Sequence, residues 1–310
     1  MMRYAFIFPG QGSQSVGMGK EFYDNFAIAK TLFEEAGDTL HLDMKQLLFE
    51  ENDKLNLTQY TQSAIFLVSA IAYNVLQNEM PLKASVAMGH SLGEVSAVVL
   101  SGGASFSKGI ELIYRRGELM AEACEGKNAG MMVVVGLDDK KLESFCENKQ
   151  KEGKSIWCAN YNGDGQIVLA GKKDDLSALE ADIKALGAKR ALLLPMSVAS
   201  HCPLLESASA PFSALLESSL NESLNTPILS NATLELYDTK QKAKELLSSQ
   251  LTKPVLYKQS ILKLDNIDTF IEFGNGSVLK GLNKRLSQAP TWNVSNLATL
   301  KECIEGIENA

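Results

Sequence analysis

The sequence predicts an α/β protein in which a parallel sheet, covered by helices on both faces, carries an inserted small domain. Three observations lead there. Strand-like and helix-like segments alternate in the outer parts of the chain, an order that suits parallel strands joined by helical crossovers. Between Met131 and Leu194 that order changes to βαββαβ, the ferredoxin-like pattern. Finally, Gly89-His90-Ser91-Leu92-Gly93 falls where the apolar Val86-Ala87-Met88 hands over to a helix-like stretch. The expected division is a core of residues 1–126 and 198–310 and a small domain of residues 127–197, with Pro195 marking the return.

Tyr4 to Phe8 reads as a buried strand, and Pro9-Gly10-Gln11-Gly12-Ser13 as the turn that ends it. Phe22, Phe26, Ala29, Phe33, Ala36 and Leu40 recur at alternating spacings of four and three, which predicts one helix with an apolar stripe. Thr58 is a candidate cap for a helix ending before Pro81, and another helix covers about Ser107 to Ala123. Within the small domain, strands are expected at Met131–Val135, Ser155–Ala159, Gln166–Ala170 and Arg190–Leu194, with helices at Asp138–Lys151 and Asp174–Leu186. Helices near Pro203–Leu220 and Lys242–Leu251 then precede a strand at Thr269–Phe273, the turn Gly274-Asn275-Gly276 and a further helix.

With 310 residues, 45% of them hydrophobic and 22% charged, the chain can bury a large core. Its longest apolar runs, such as Ala64 to Ala72, are short and broken by Ser69, so neither a membrane span nor a signal peptide is expected. Five cysteines, with no C-x-x-C and no neighbouring histidines, point to reduced thiols in a cytoplasmic protein without a metal site. A net charge of −7 argues against a nucleic-acid partner. An acidic protein partner needs a local basic patch, for which Lys280, Lys284 and Arg285, or Lys189 and Arg190, are available; plain surface charge is the alternative.

The Gly-x-Ser-x-Gly turn is the first chemical clue. A sharp strand-to-helix turn lifts a serine above the sheet, and flanking glycines remove side chains that would collide there. Such a serine needs a base, and histidine suits the task near neutral pH. Of the three histidines, His41 lies in an amphipathic surface region and His90 neighbours the serine, where adjacent side chains diverge. His201, in a loop following the small domain, is the candidate base; an ordinary hydrogen-bonded loop histidine is the alternative. No acidic residue presents itself as a third member, so a backbone carbonyl is a candidate to orient the imidazole.

Arg116 is the second clue. On an ideal helix Leu112, Ile113, Leu119 and Met120 fall at about 0°, 100°, −20° and 80°, and Arg116 at about 40°, the middle of that apolar face. A guanidinium turned inward requires an anion, either a substrate carboxylate gripped through two hydrogen bonds or one of the chain's own acids. The Gln11 backbone N–H, at the end of the first strand, and that of Leu92 could together form an oxyanion hole; a plain glycine turn is the alternative at Gln11.

These residues together resemble the malonyl-CoA:acyl carrier protein transacylase family of bacterial fatty acid synthesis. The similarity runs from Phe8-Pro9-Gly10-Gln11-Gly12-Ser13-Gln14 through Gly89-His90-Ser91-Leu92-Gly93-Glu94, Arg116-Gly117, Ala159-Asn160-Tyr161-Asn162, Gly165-Gln166 and Ser200-His201 to Gln250-Leu251, Pro254-Val255, Gly274 and Gly276. The resemblance implies a hydrolase-like α/β core, a ferredoxin-like small domain and a site between them. It implies ping-pong transfer, with Ser91 attacking malonyl-CoA, His201 as base, the Gln11 and Leu92 N–H groups holding the oxyanion, and Arg116 holding the malonyl carboxylate. By the same resemblance the Gln250 carbonyl orients His201, and Asn160 and Asn162 contact the pocket or coenzyme A. The partners implied are malonyl-CoA and acyl carrier protein; coenzyme A enters as a substrate thioester, and no cofactor is implied. Ser200 stands where many malonyl-selective relatives carry Phe, and an Ala-Ser-His sequence often accompanies methylmalonyl units, whereas Leu92 favours malonyl. A serine esterase or thioesterase is the rival enzyme class, and a non-catalytic binding module a further reading.

Overall fold

The computed structural model of the chain describes residues 2–310. The chain begins with β1 (Tyr4–Phe8), α1 (Lys20–Asn25), α2 (Ala27–Leu40), α3 (Met44–Phe49), α4 (Thr58–Glu79), β2 (Ala84–Gly89), α5 (Leu92–Val98) and α6 (Phe106–Cys124). A second group follows, with β3 (Ala129–Val135), α7 (Asp139–Lys151), β4 (Ile156–Gly163), β5 (Gln166–Lys172), α8 (Lys173–Ala185) and β6 (Arg190–Leu193). The last part holds α9 (Glu206–Ser219), β7 (Ser223–Leu229), β8 (Leu236–Thr239), α10 (Lys240–Gln250), α11 (Tyr257–Lys263), β9 (Thr269–Phe273), α12 (Val278–Asn283), β10 (Thr291–Val294) and α13 (Leu297–Glu308).

Two sheets result. The larger has the order β10-β9-β1-β2-β7-β8, parallel throughout except for β8 at its edge. Its central strand is buried on both faces because its apolar run has period two: Phe6 and Phe8 join one core cluster, Ala5 and Ile7 the other. Over the first face lies α4, apolar around most of its circumference and therefore buried along most of its length. The smaller sheet, β4-β5-β3-β6, is antiparallel throughout. Met132, Val134, Ile167 and Leu169 pack with residues of α7 and α8 on one of its faces, while Met131, Val168 and Ala170 turn into the main core on the other. Strand β4 is also tied to the segment before α11: Tyr161 N–H donates to the Val255 carbonyl, and Val255 N–H to the Ala159 carbonyl, both at 2.8 Å.

Several boundaries differ from expectation. The stripe from Phe22 to Leu40 is two helices, because Phe26 is extended (φ −123°, ψ 130°) and closes the first by donating its N–H to Phe22. The Asn25 side-chain amide also donates its Nδ2–H to the Glu21 carbonyl, a local bond that competes with helix continuation. Thr58 is the first residue inside α4, whose cap is Leu57 with no side-chain bond. Strand β4 runs on to Gly163 through two irregularities in its register. Strands β7, β8 and β10 were not foreseen; β7 contains Pro227 and pairs with β2 only at Ile228, so it lacks the alternation that marks a strand.

The facing of the small sheet makes a checkable statement. Ile167→Ala removes a side chain sealed under α7 and α8, and urea denaturation is expected to show a loss of about 2–5 kcal/mol. A loss below about 0.5 kcal/mol would contradict this packing.

Candidate active site

The loops leaving the carboxyl ends of the neighbouring strands β1 and β2 meet at one crevice, the usual ligand position in an open α/β sheet. Their closeness dictates glycine: a Cβ on Gly93 would lie 1.9 Å from the Phe8 carbonyl oxygen, and one on Gly89 2.1 Å from the Gly93 carbonyl carbon. Ser91 sits at the apex with φ 54° and ψ −104°, a conformation that costs about 1–3 kcal/mol and must be held from outside. Asn231, just past β7, holds it. Its Oδ1 accepts the Ser91 N–H at 2.7 Å, and its Nδ2 donates to the Gly89 carbonyl at 2.6 Å.

His201 lies in the loop between β6 and α9, with its Nε2 2.7 Å from Ser91 Oγ and its Nδ1 2.8 Å from the Gln250 carbonyl oxygen. A carbonyl only accepts, so Nδ1 carries the proton and Nε2 is left to accept from the serine hydroxyl. Burial drives the His201 pKa down to about 3, with the Arg116 charge and His90 acting in the same direction and the Gln250 carbonyl opposing them. The imidazole is therefore neutral and ready to take a proton at working pH. His90 is engaged elsewhere, with Nε2 2.8 Å from Asn162 Oδ1, and His41 is exposed at the end of α2.

Arg116 projects from α6 into the interior and is 1% exposed. Its three polar partners are neutral oxygens: Gln62 Oε1 at 2.7 Å from Nη1, Gln250 Oε1 at 3.0 Å from Nη2, and Ser91 Oγ at 3.3 Å from Nη2. Nε has no partner among the described residues. An ion pair with one of the chain's own acids, the competing expectation, is therefore not formed among these residues. The nearest anion in effect is Glu94, which bonds the far end of the Gln250 amide. Burial lowers the Arg116 pKa to about 10, which still leaves a cation at neutral pH.

A cavity of about 190 Å³ opens over this group, lined by Gln11, Ser91, Leu92, Asn160, Asn162 and His201 among others. Arg116 and Gln250 are not among its lining residues; the Arg116 guanidinium meets its edge at Ser91 Oγ. Among the described residues, the Gln11 and Leu92 amides have no protein acceptor, so both are available to an oxygen of a ligand. All eight predicted site residues thus gather at one place. Sequence reasoning missed Gln62, Asn231, Tyr237 and the role of Glu94 as an internal acceptor. Gln62 lies in the helix expected after Thr58, where nothing in the local sequence sets its amide apart; its burial shows only in the structure. No group of three or more His, Cys, Asp or Glu side chains suited to a metal ion occurs among the described residues.

A parallel-sheet frame presenting a serine–histidine pair over two free amides has the parts of an acyl-transferring enzyme, and the acyl transferase domain model matches residues 5–300. The malonyl CoA-acyl carrier protein transacylase of Bacillus subtilis strain 168 is 36% identical over 312 residues, covering 99% of this chain and 98% of that one. The crystal structure of malonyl-CoA:acyl carrier protein transacylase from Helicobacter pylori matches with a TM-score of 0.96 and 53% identity, covering 99% of each chain. A malonyl-transacylase solved in complex with a holo type II PKS acyl-carrier protein matches at TM-score 0.92 and 32% identity, covering 98% of this chain and 99% of that one. The chain belongs to the malonyl-CoA:acyl carrier protein transacylase family, and it is an acyltransferase.

Two measurements check this geometry. Because the lowered pKa keeps His201 unprotonated as pH falls, the rate of fluorophosphonate labelling of Ser91 is expected to hold through pH 6.5 and to decline only well below it. A midpoint near 6.5 would mean an ordinary, solvated imidazole. Gly93→Ala is expected to cost about 3 kcal/mol or more in urea denaturation, because the new methyl meets backbone rather than a movable side chain.

Proposed function

We propose that the chain transfers a malonyl group from coenzyme A to the phosphopantetheine thiol of acyl carrier protein, through a malonyl ester on Ser91. One observation carries the reading: a buried guanidinium with no acidic partner lies 3.3 Å from a serine hydroxyl that is itself bonded to a neutral imidazole. An esterase for neutral acyl groups has no use for that cation, whereas a free carboxylate on the acyl chain does.

In this reading the Ser91 oxygen attacks the thioester carbonyl as its proton passes to His201 Nε2. The negative charge that develops on the carbonyl oxygen is met by the Gln11 and Leu92 N–H groups, and losing one such donor typically costs about 10² to 10³ in rate. Collapse of the tetrahedral species breaks the C–S bond, and His201 returns its proton to the departing thiol. The carrier-protein thiol then repeats the sequence in the opposite sense, restoring the serine. Gln250 orients His201 through its carbonyl, as the 2.8 Å contact supports. Arg116 keeps Gln62 and Gln250 as lateral partners and exchanges its longest contact, to Ser91 Oγ, for the malonyl carboxylate. Asn160 is 4% exposed, lines the cavity and has no side-chain bond to protein among the described residues, which supports a contact with substrate.

The finer architecture belongs to the same proposal. Residues 1–126 and 198–310 form a hydrolase-like core, and residues 127–197 a ferredoxin-like domain; the order β4-β5-β3-β6 with two helices on one face supports the latter. No helix is long and apolar enough to cross a membrane among the described residues. Five free cysteines support a reducing, cytoplasmic setting.

Intact-mass measurement after incubation with malonyl-CoA or acetyl-CoA tests the reading. A malonyl adduct is expected on the parent protein and none on Ser91→Ala. Arg116→Ala is expected to slow malonyl labelling by about 10²-fold or more, the worth of two charge-assisted hydrogen bonds, with acetyl labelling similar or faster. Equal losses for both acyl groups would mean that the arginine supports the fold rather than the substrate. Release of free malonate faster than transfer to carrier protein would favour a thioesterase.

A further inference from the structure

Glu94 is a carboxylate with no exposed surface, sitting three residues beyond Ser91 in the first turn of α5. Three neutral donors meet it: the Asn231 N–H at 2.9 Å, the Tyr237 hydroxyl at 2.9 Å and the Gln250 Nε2 at 2.6 Å. The first comes from the residue that brackets the strained serine, the last from the residue whose carbonyl holds His201 and whose amide oxygen meets Arg116. One buried carboxylate thus joins the supports of all three reactive groups.

The Gln250 amide shows what this junction does. On one side it faces only acceptors, the Glu94 carboxylate and the Ser91 carbonyl at 3.2 Å; on the other it faces the guanidinium, which only donates. The amide is satisfied in a single orientation, with Nε2 toward Glu94 and Oε1 toward Arg116. Turned over, it would set oxygen against carboxylate and N–H against guanidinium. Without the carboxylate nothing equally strong fixes that choice, and Arg116 loses a lateral anchor that points its charge at the site.

We propose that Glu94 is a positioning residue for acyl-group selection: by fixing the Gln250 amide it holds Arg116 in register with the carboxylate of the incoming acyl chain. The inference rests on the reading of Arg116 given above and adds a residue that touches neither substrate nor the reacting atoms.

The test compares rates of Ser91 acylation by malonyl-CoA and acetyl-CoA, expressed as a ratio, in four proteins beside the parent. Glu94→Ala removes the acceptor, and the malonyl-to-acetyl ratio is expected to fall at least about tenfold, as for other residues that orient a functional side chain from behind. Glu94→Gln keeps an acceptor oxygen for Asn231 and Gln250 and can donate to the Tyr237 oxygen, so it is expected to restore most of the ratio. Gln250→Met cuts the link from the other end and is expected to lower the ratio as Glu94→Ala does; it carries the test if Glu94→Ala fails to fold. Arg116→Ala is the reference. If it collapses the ratio while Glu94→Ala and Gln250→Met reduce malonyl and acetyl rates equally, the inference is overturned and the reading of Arg116 stands. If Arg116→Ala leaves the ratio intact, that reading fails and takes the inference with it.

Discussion

A cation enclosed without a countercharge at contact distance is the constraint on which the site turns. Taking a guanidinium out of water is costly, and proteins ordinarily offset the cost with a carboxylate in direct contact. Here the contacts are two amide oxygens and a hydroxyl, which satisfy donors without cancelling charge. The acid that partly offsets that cost, Glu94, is held one amide away, and burial pushes its own pKa up against the hydrogen bonds it accepts. Such an arrangement leaves the charge without a bonded countercharge in an interior otherwise built from Leu112, Ile113 and Met120, which supports the carboxylate-holding role proposed for Arg116.

The same economy of charge governs the serine. The imidazole partner is oriented by a carbonyl, so no third acid enters the cavity to compete with an anionic substrate. Burial and the adjacent guanidinium keep that imidazole neutral, which suits the base role proposed for it. The strain at Ser91 is contained by Asn231, in the turn after β7, and by glycines packed against backbone at the ends of β1 and β2. Fold and chemistry are linked at this point: the parallel register that brings Phe8 beside Gly89 also brings Gln11 and Ser91 to the walls of one cavity.

Much of this was legible in the sequence where the signal was local. The elbow announces itself in five residues, and the position of Arg116 follows from helix geometry alone. The two-sheet division was readable because the βαββαβ segment has regular alternation, and its strands and helices fell within a few residues of expectation. What escaped was non-local. Asn231, Tyr237 and Glu94 meet across 137 and 143 residues of chain, and no spacing rule connects them. The break at Phe26 was hidden because the apolar stripe continues through it in helical register, while β7 was hidden by Pro227 and by its slight pairing with β2. Gln62 carries no local signal, because a single glutamine in a long helix gives no sign that its amide turns inward.

The most direct measurement is a crystal structure of the protein trapped as the malonyl ester on Ser91. The account predicts the free carboxylate within hydrogen-bond distance of Arg116, with the Gln62 and Gln250 oxygens still on the guanidinium. A carboxylate turned to solvent, with Arg116 still bonded to the Ser91 oxygen, would contradict it.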